Sequence, residues 1–364
     1  MTIGSVIQVL ESFAPPALQE NYDNAGLLTG QATQACTGIL CCLDATEAVL
    51  EEAIEKRCNL VVAHHPIIFS GLKKINGNNY VERAVIKAIK NDIALYAIHT
   101  NLDNVIEGVN AQIAAKLGLV NLKVLAPKEG LLEKLFFFVP AEAADKVLDA
   151  LFDAGGGTIG NYKECSFSVL GKGTFFPGAK ANPYSGVVGS RHEGEELKIE
   201  LLYPAWLRNK MVAVLKQNHP YEEVAYELIP VKNPHQEIGS GITGELPEAM
   251  EAIDFLQKLK TAFGLSVVKH TALMGKKIKK ISVCGGAGSF LIKNAINSGS
   301  DIYITSDIKY HEFFDAGGQI IIADIGHYES EQFTIELLCN ILQEKFPNFA
   351  VLKTTVNTNP VQYF

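Results

Sequence analysis

Residues Asn59-Leu-Val-Val-Ala-His-His-Pro-Ile-Ile-Phe69 decide the reading of this chain. The apolar run of Leu60, Val61, Val62 and Ala63 reads as a buried strand, and it stops at His64 and His65. Pro66 has no N–H for a sheet ladder, so both imidazoles fall at the strand's carboxyl end. Open α/β sheets place their ligands at that end. Neighbouring strand residues point to opposite faces, so two adjacent histidines serve two nearby ligands better than one. An isolated His-His pair is more often two unrelated loop residues, and its surroundings have to decide.

Working outward, a strand over 39–43 ending in Asp44 and a helix over 45–57 precede this stretch. A helix over 80–90, a strand over 93–98 ending in His99-Thr-Asn-Leu-Asp103, and a helix over 109–117 closed by Gly118 follow it. Alternating strands and helices predict an α/β fold with a doubly wound sheet. The character changes near residue 123. A β-α-β-β-α-β order over 124–232 predicts an inserted ferredoxin-like module of ordinary small-domain size. Within it, His219-Pro-Tyr-Glu-Glu223 reads as a helix-to-strand corner rather than a ligand group. The α/β pattern then resumes, with strands over 265–269, 279–284, 301–305 and 319–323 and helices near 249–263, 288–298, 308–316 and 329–344. The expected organisation is a first α/β half over 1–123, the insertion over 124–232 and a second α/β half over 233–364, the two halves forming one metal-binding core.

At 364 residues the chain exceeds one ordinary core. Hydrophobic residues make up 48% and charged residues 20%, the balance of a soluble globular protein. No apolar run spans a membrane and no basic segment leads into an apolar signal core, so a cytoplasmic location without a membrane partner is expected. A net charge of -8 and a pI near 5.7 weigh against a general nucleic-acid binder. The seven cysteines form no CxxC pair and lie mostly in apolar runs, the usage of reduced, buried thiols.

Two further strand ends resemble the His-His end. One is His99-Thr-Asn-Leu-Asp103; the other is Ala323-Asp-Ile-Gly-His327-Tyr-Glu-Ser-Glu331. With a helix starting near His327, His327 and Glu331 are four apart and share a face, and the carboxylate is free to bridge two ions. His64, His65, Asp103, His327 and Glu331 then supply three imidazoles and two carboxylates, a set suited to Zn²⁺, Mn²⁺ or Fe²⁺ more than to Ca²⁺. Water between two such ions becomes a nucleophile near neutral pH. His99 and Asp324 are candidates to orient the ligands. Thr305-Ser-Asp307-Ile-Lys-Tyr-His311 also ends a strand, where Asp307 either caps a helix or meets substrate, and the two roles are compatible. Cys284-Gly-Gly-Ala-Gly-Ser289 lacks the ending of a P-loop, and a tight turn explains it as well as a bound phosphate does.

Asn21-Tyr-Asp-Asn-Ala-Gly-Leu-Leu28, Ala63-His-His-Pro-Ile-Ile-Phe69, His99-Thr-Asn-Leu-Asp103, Ser306-Asp-Ile-Lys-Tyr-His311 and Gly326-His-Tyr-Glu-Ser-Glu331 resemble, in order, the signatures of the NIF-three-like family. Its members are often labelled GTP cyclohydrolase I type 2 homologs. Gly173-Thr-Phe-Phe-Pro177 and His219-Pro-Tyr-Glu-Glu223 resemble the PII/CutA-like domain inserted in the longer bacterial members. The resemblance implies two divalent metal ions per chain and a homohexameric ring with the metals facing an internal cavity. Carried over by position, His65 and Asp103 would hold one metal, His64 and His327 the other, and Glu331 would bridge them. Tyr22 stands where many relatives have tryptophan, a departure that bears on packing near the site. The label implies hydrolytic opening of the guanine imidazole ring at C8, with Asp307 and His311 as the residues for proton transfer or base contact. The expected function is a metal-dependent hydrolase of a nucleotide or related heterocycle. The alternative is a non-catalytic metal-binding ring with a regulatory or scaffold role. An open coordination position with metal-dependent turnover distinguishes the first from the second.

Overall fold

The apolar runs become strands because both of their faces are covered. In the computed structural model, which describes residues 1–364, Ile39–Asp44, Leu60–His65 and Ala94–Ala97 lie parallel and side by side. All their residues are buried except Asp44 and His65 at the carboxyl ends. Gly26–Thr29 adds to one edge antiparallel, and Val351–Lys353 to the other in parallel, giving five strands. Leu40, Val49, Leu50, Val61, Ala84, Ala88 and Leu95 form the core beneath the helices Glu47–Glu55 and Tyr80–Lys90. Fully burying one such leucine or valine contributes ~1.5–3 kcal/mol. The helices begin where Thr46 and Asn79 side chains accept from the amides of Val49 and Glu82. Strand register sets Asp44 directly beside His65.

A second sheet has six strands in the order Lys269–His270, Ile321–Asp324, Ile302–Ser306, Ile278–Ala287, Gly239–Met250 and Val120–Pro127. Ile321–Asp324, Ile302–Ser306 and Ile278–Ala287 are parallel, and Gly239–Met250 runs antiparallel to the last of them. Phe255, Leu259, Ile281, Val283, Ile302, Ile304 and Ile321 fill its core against the helices Val109–Leu117 and Ala252–Phe263. Both sheets belong to one unit, residues 1–126 with 237–364; residues 127–236 form the other.

The two expected halves are not self-contained. Val120–Pro127 forms an edge of the second sheet, whereas Thr334–Lys345 packs on the first and Val351–Lys353 joins it. This exchange pairs the Ile39–Asp44 ladder, which would otherwise lie open. Gly239–Met250 was not anticipated, because Gly-Ser-Gly-Ile-Thr-Gly lacks an apolar alternation. A Cβ at Gly244 would stand 2.7 Å from Leu122 Cδ2, so close strand approach requires glycine there. The strand expected over 265–269 shrinks to Lys269–His270. The helix expected over 308–316 is a 3-10 helix, Tyr310–Ala316, entered through Asp307 in the left-handed region at φ 56°.

The second unit has a four-stranded antiparallel sheet, ordered Phe167–Phe175, His192–Pro204, Leu132–Val139 and Tyr226–Val231. Every second residue of Leu132–Val139 is buried. The side chains of Leu135, Phe137 and Val139 pack with Val147, Leu151, Met211 and Leu215 of the helices Ala144–Asp153 and Arg208–Asn218. His219 ends the second of these helices, and its Nε2 bonds the Phe138 carbonyl at 2.9 Å. No helix of the protein is long and apolar enough to cross a membrane. All seven cysteines are free, six of them buried.

Candidate metal centre

Parallel strands deliver their carboxyl ends to one cleft of about 850 Å³ in the first unit. His64 and His65 enter from Leu60–His65, and Asp103 from the single helical turn Thr100–Asp103 that follows Ala94–Ala97. His327 and Glu331 enter from the helix His327–Glu331, which follows Ile321–Asp324. His64 Nε2 lies 3.6 Å from Asp103 Oδ1 and 3.9 Å from Glu331 Oε1. His65 Nε2 lies 2.9 Å from Glu331 Oε2, and His327 Nε2 lies 3.1 Å from the same oxygen. The donors thus form two triads, His64–Asp103–Glu331 and His65–His327–Glu331, each within 4.8 Å, with Glu331 common to both.

These groupings differ from the pairing that the family resemblance implies. His64 stands with Asp103 and His65 with His327, whose Nε2 is 3.4 Å from that of His65. The reason is strand alternation: His64 points inward, fully buried, towards the Asp103 turn, and His65 points across to the helix of His327.

Each imidazole is aimed by its other nitrogen. Nδ1 of His64 donates to the Ile98 carbonyl at 2.9 Å, and Nδ1 of His65 to Asp44 Oδ1 at 2.8 Å. Nδ1 of His327 donates to Asp307 Oδ2 at 2.6 Å, and Nδ1 of His99 to Asp23 Oδ1 at 2.8 Å. An acceptor at Nδ1 fixes the tautomer that leaves Nε2 for a metal. His99, expected only as support, brings its own donor within 4.8 Å of those of His64 and His65. Asp23 also accepts from the Thr100 amide and hydroxyl. Burial opposes its charge, yet these bonds hold its pKa at about 2.

The centre is electrostatically incomplete without a cation. His64 Nε2 and Asp103 Oδ1 are buried and have no hydrogen-bond partner. Burial of its carboxyl and the charge of Glu331 push the Asp103 pKa up to about 7. Burial disfavours charge on His65 and His327, but the carboxylates bonded to them prevail and raise their pKa values to about 10 and about 11. Burial likewise works against Glu331, and hydrogen bonds from the histidines hold it well below the ordinary carboxylate range. The Nε2 atoms of His65 and His327 converge on one Glu331 oxygen. A divalent cation would give the orphaned His64 and Asp103 atoms a partner, so the residues fit a metal.

Gly286 makes room for Glu331. Its φ is +63°, and a Cβ there would lie 2.4 Å from Glu331 Oε1. Gly285 and Gly286 therefore serve close packing on the shared carboxylate, while Gly288 abuts Thr305 and Tyr303. Asp44, Asp23 and Gly286 were not named as site residues, although Asp44 ends an apolar strand, Asp23 lies in the Asn21–Leu28 stretch and Gly286 in the glycine-rich turn. Asp307 lines the cleft and accepts from His327 Nδ1. His311 does not line the cleft; it is exposed on the 3-10 helix, its ring against Tyr310 and Phe314. Asp324 meets Lys269 at 2.6 Å and the amides of Ile308 and Gly326, and so shapes the turn rather than an imidazole.

Comparison with known proteins extends these observations. The chain is 38% identical to a Halalkalibacterium halodurans protein named GTP cyclohydrolase 1 type 2 homolog, over 99% of this chain and 98% of that one. It is 35% identical to a Bacillus subtilis protein of the same name, over 98% and 97% of the two chains. Among solved structures, a Bacillus cereus protein related to NIF3 superposes with a TM-score of 0.88 at 35% identity, covering 100% of this chain and 99% of that one. The Duf34/NIF3 (NGG1p interacting factor 3) family matches residues 1–360, and the chain belongs to that family.

Proposed function

We propose that the cleft holds two divalent cations of the Zn²⁺, Mn²⁺ or Fe²⁺ type and hydrolyses a nucleotide or related heterocycle. The observation that carries this is the pair of donor triads sharing Glu331 in the wall of an 850 Å³ cleft. His64 and Asp103 would hold one ion, His65 and His327 the other, with Glu331 between them. Bound cations would supply Lewis acidity and a nucleophile from water at neutral pH. The remaining work falls to the chain. Asp44, Asp307 and the Ile98 carbonyl keep the three imidazoles aimed. Tyr22, Phe69 and Phe290 offer ring faces on the cleft wall to a planar heterocycle.

The wall also carries Glu20, Asp44, Asp103, Asp307, Asp324, Glu329 and Glu331, against Lys269 as its one lysine or arginine. Such a surface would repel a triphosphate unless the two cations offset its charge. The relatives' name brings opening of the guanine ring forward as the reaction to test first. Metal content by mass spectrometry, then formate release from GTP and from guanosine with and without added metal, tests the reading. About two metals per chain with metal-dependent formate release is the expected result. Absence of metal after reconstitution would refute the site.

The second reading, a non-catalytic metal-binding homohexamer, draws on exposed rings. Phe290, Tyr310 and Phe314 are each about two-thirds exposed or more, the kind of surface that a subunit interface covers. Two metals without turnover on any nucleotide or nucleoside, together with a hexamer by light scattering, would favour it.

A further inference from the structure

The second unit contains a separate cavity of about 180 Å³ that the metal chemistry does not use. Rings form much of its wall: Phe175 and His192 pack tilted at 51° with centroids 5.0 Å apart, and Tyr184 and Tyr221 tilted at 47° with centroids 5.9 Å apart. Glu142, Glu195 and Glu196 complete the lining, which includes no lysine and no arginine. Tyr221 donates its hydroxyl to Glu196 at 2.7 Å, and the Tyr184 hydroxyl reaches Glu142 at 3.4 Å. These bonds fix the ring orientations and keep both carboxylates at the cavity. Gly173 keeps the space open, since a Cβ there would lie 1.9 Å from Glu196 Oε2.

We propose that this cavity binds the ammonium group of a small alkylammonium compound. Ring faces carry negative electrostatic potential, and carboxylates beside them supply the balancing charge, so the pocket selects for a positive, weakly hydrated group. Its volume admits a short aliphatic amine and excludes a nucleotide. A metal ion is the poorer occupant. No three histidine or carboxylate donors of this cavity converge within 4.8 Å, as the donors of the cleft do. The two stretches that stood out in the middle of the sequence meet here, Gly173 and Phe175 from one and Tyr221 from the other. His219, by contrast, is spent on the Phe138 carbonyl and packs edge-on under Tyr221.

Calorimetric titration of the full chain with n-butylammonium and with tetramethylammonium tests this, with n-butyrate as the charge control. The expected result is saturable binding of both cations and none of the anion. Tyr221→Ala and Glu196→Gln should each weaken it by about tenfold, the scale of one desolvated cation–π or ionic contact. Tyr221→Phe should keep tetramethylammonium binding within about threefold, because the ring face remains. Gly173→Val should abolish binding while leaving metal content at the cleft unchanged. Binding of n-butyrate equal to that of the cations, affinity unchanged by Tyr221→Ala and Glu196→Gln, or displacement of the amine by millimolar Mg²⁺ would each overturn the proposal.

Discussion

Gly286→Ala is the most discriminating change at the centre, because it adds one methyl group and removes no donor. The added Cβ would start 2.4 Å from Glu331 Oε1, 3.4 Å from its Cδ and 3.5 Å from His327 Cε1. An ordinary carbon–oxygen contact needs roughly 3.4 Å, so the carboxylate must retreat by about 1 Å. Glu331 is nearly fully buried and its two oxygens face different histidines, so that retreat loosens both triads together. An L-residue at φ +63° also costs about 1–2 kcal/mol of backbone strain. The expected variant is folded, melts about 2–8 °C lower in proportion to that strain, and loses both metals. Gly285→Ala is the internal control. Its Cβ would touch Val109 and the Glu331 Cγ at 3.0 and 3.3 Å, short of the carboxylate oxygens, and a milder loss is expected. Metal content after equilibrium dialysis, read beside a thermal melt, measures both variants. A Gly286→Ala protein holding two metals with affinity within twofold of the parent would refute the close-approach reasoning.

Glu331→Ala should remove both metals and His64→Ala mainly one; metal counts unchanged in both would contradict a shared carboxylate. His65 and His327 have pKa values raised from 6.5 to about 10 and about 11, so their contribution to the metal-free protein is complete below pH 6.5 and lost as pH climbs through those values. Chelator-treated protein should therefore melt lower at pH 10 than at pH 7, and a melt that does not fall over that interval counts against it. Burial opposes the charge of Glu52, but Lys56, Thr354 and Thr355 bond it and lower its pKa from 4.5 to about 2. The stability it adds is present above pH 4.5 and fades as pH falls towards 2, so Glu52→Gln should unfold at higher pH in an acid titration followed by circular dichroism. His311→Ala should leave metal content intact; loss of metal would mean that its ring reaches the cleft.

The strand ends at His65, at His99 and before His327 were readable because each terminates an apolar run, a local pattern. The helical spacing that joins His327 to Glu331 is local too. How the donors divide into triads was not readable, since it depends on the two sheets meeting and on which face of a strand His64 occupies. The aiming role of the imidazole acceptors escaped for a different reason, Asp307 having been read as a residue for proton transfer or base contact. Asp23, Asp44 and Asp307 look in sequence like any turn or cap aspartate, and only a histidine from elsewhere in the chain gives them their task. Glycines cut both ways: Gly118 marked a helix end correctly, while those of Gly239–Met250 hid a strand whose closeness to its neighbour is the reason for them.

Glu331 contacts His65 across 266 positions of chain, and Thr358 donates to Asp44, the carboxylate that aims His65. A polypeptide emerging from the ribosome therefore presents His64, His65, His99 and Asp103 long before the shared carboxylate exists. That early fragment has the His64, His65 and His99 donors but neither His327 nor Glu331, so the shared carboxylate joins the site last. An ion held by donors of both parts would fasten the early strands to the late ones. Stripping it should loosen the whole first unit rather than one loop.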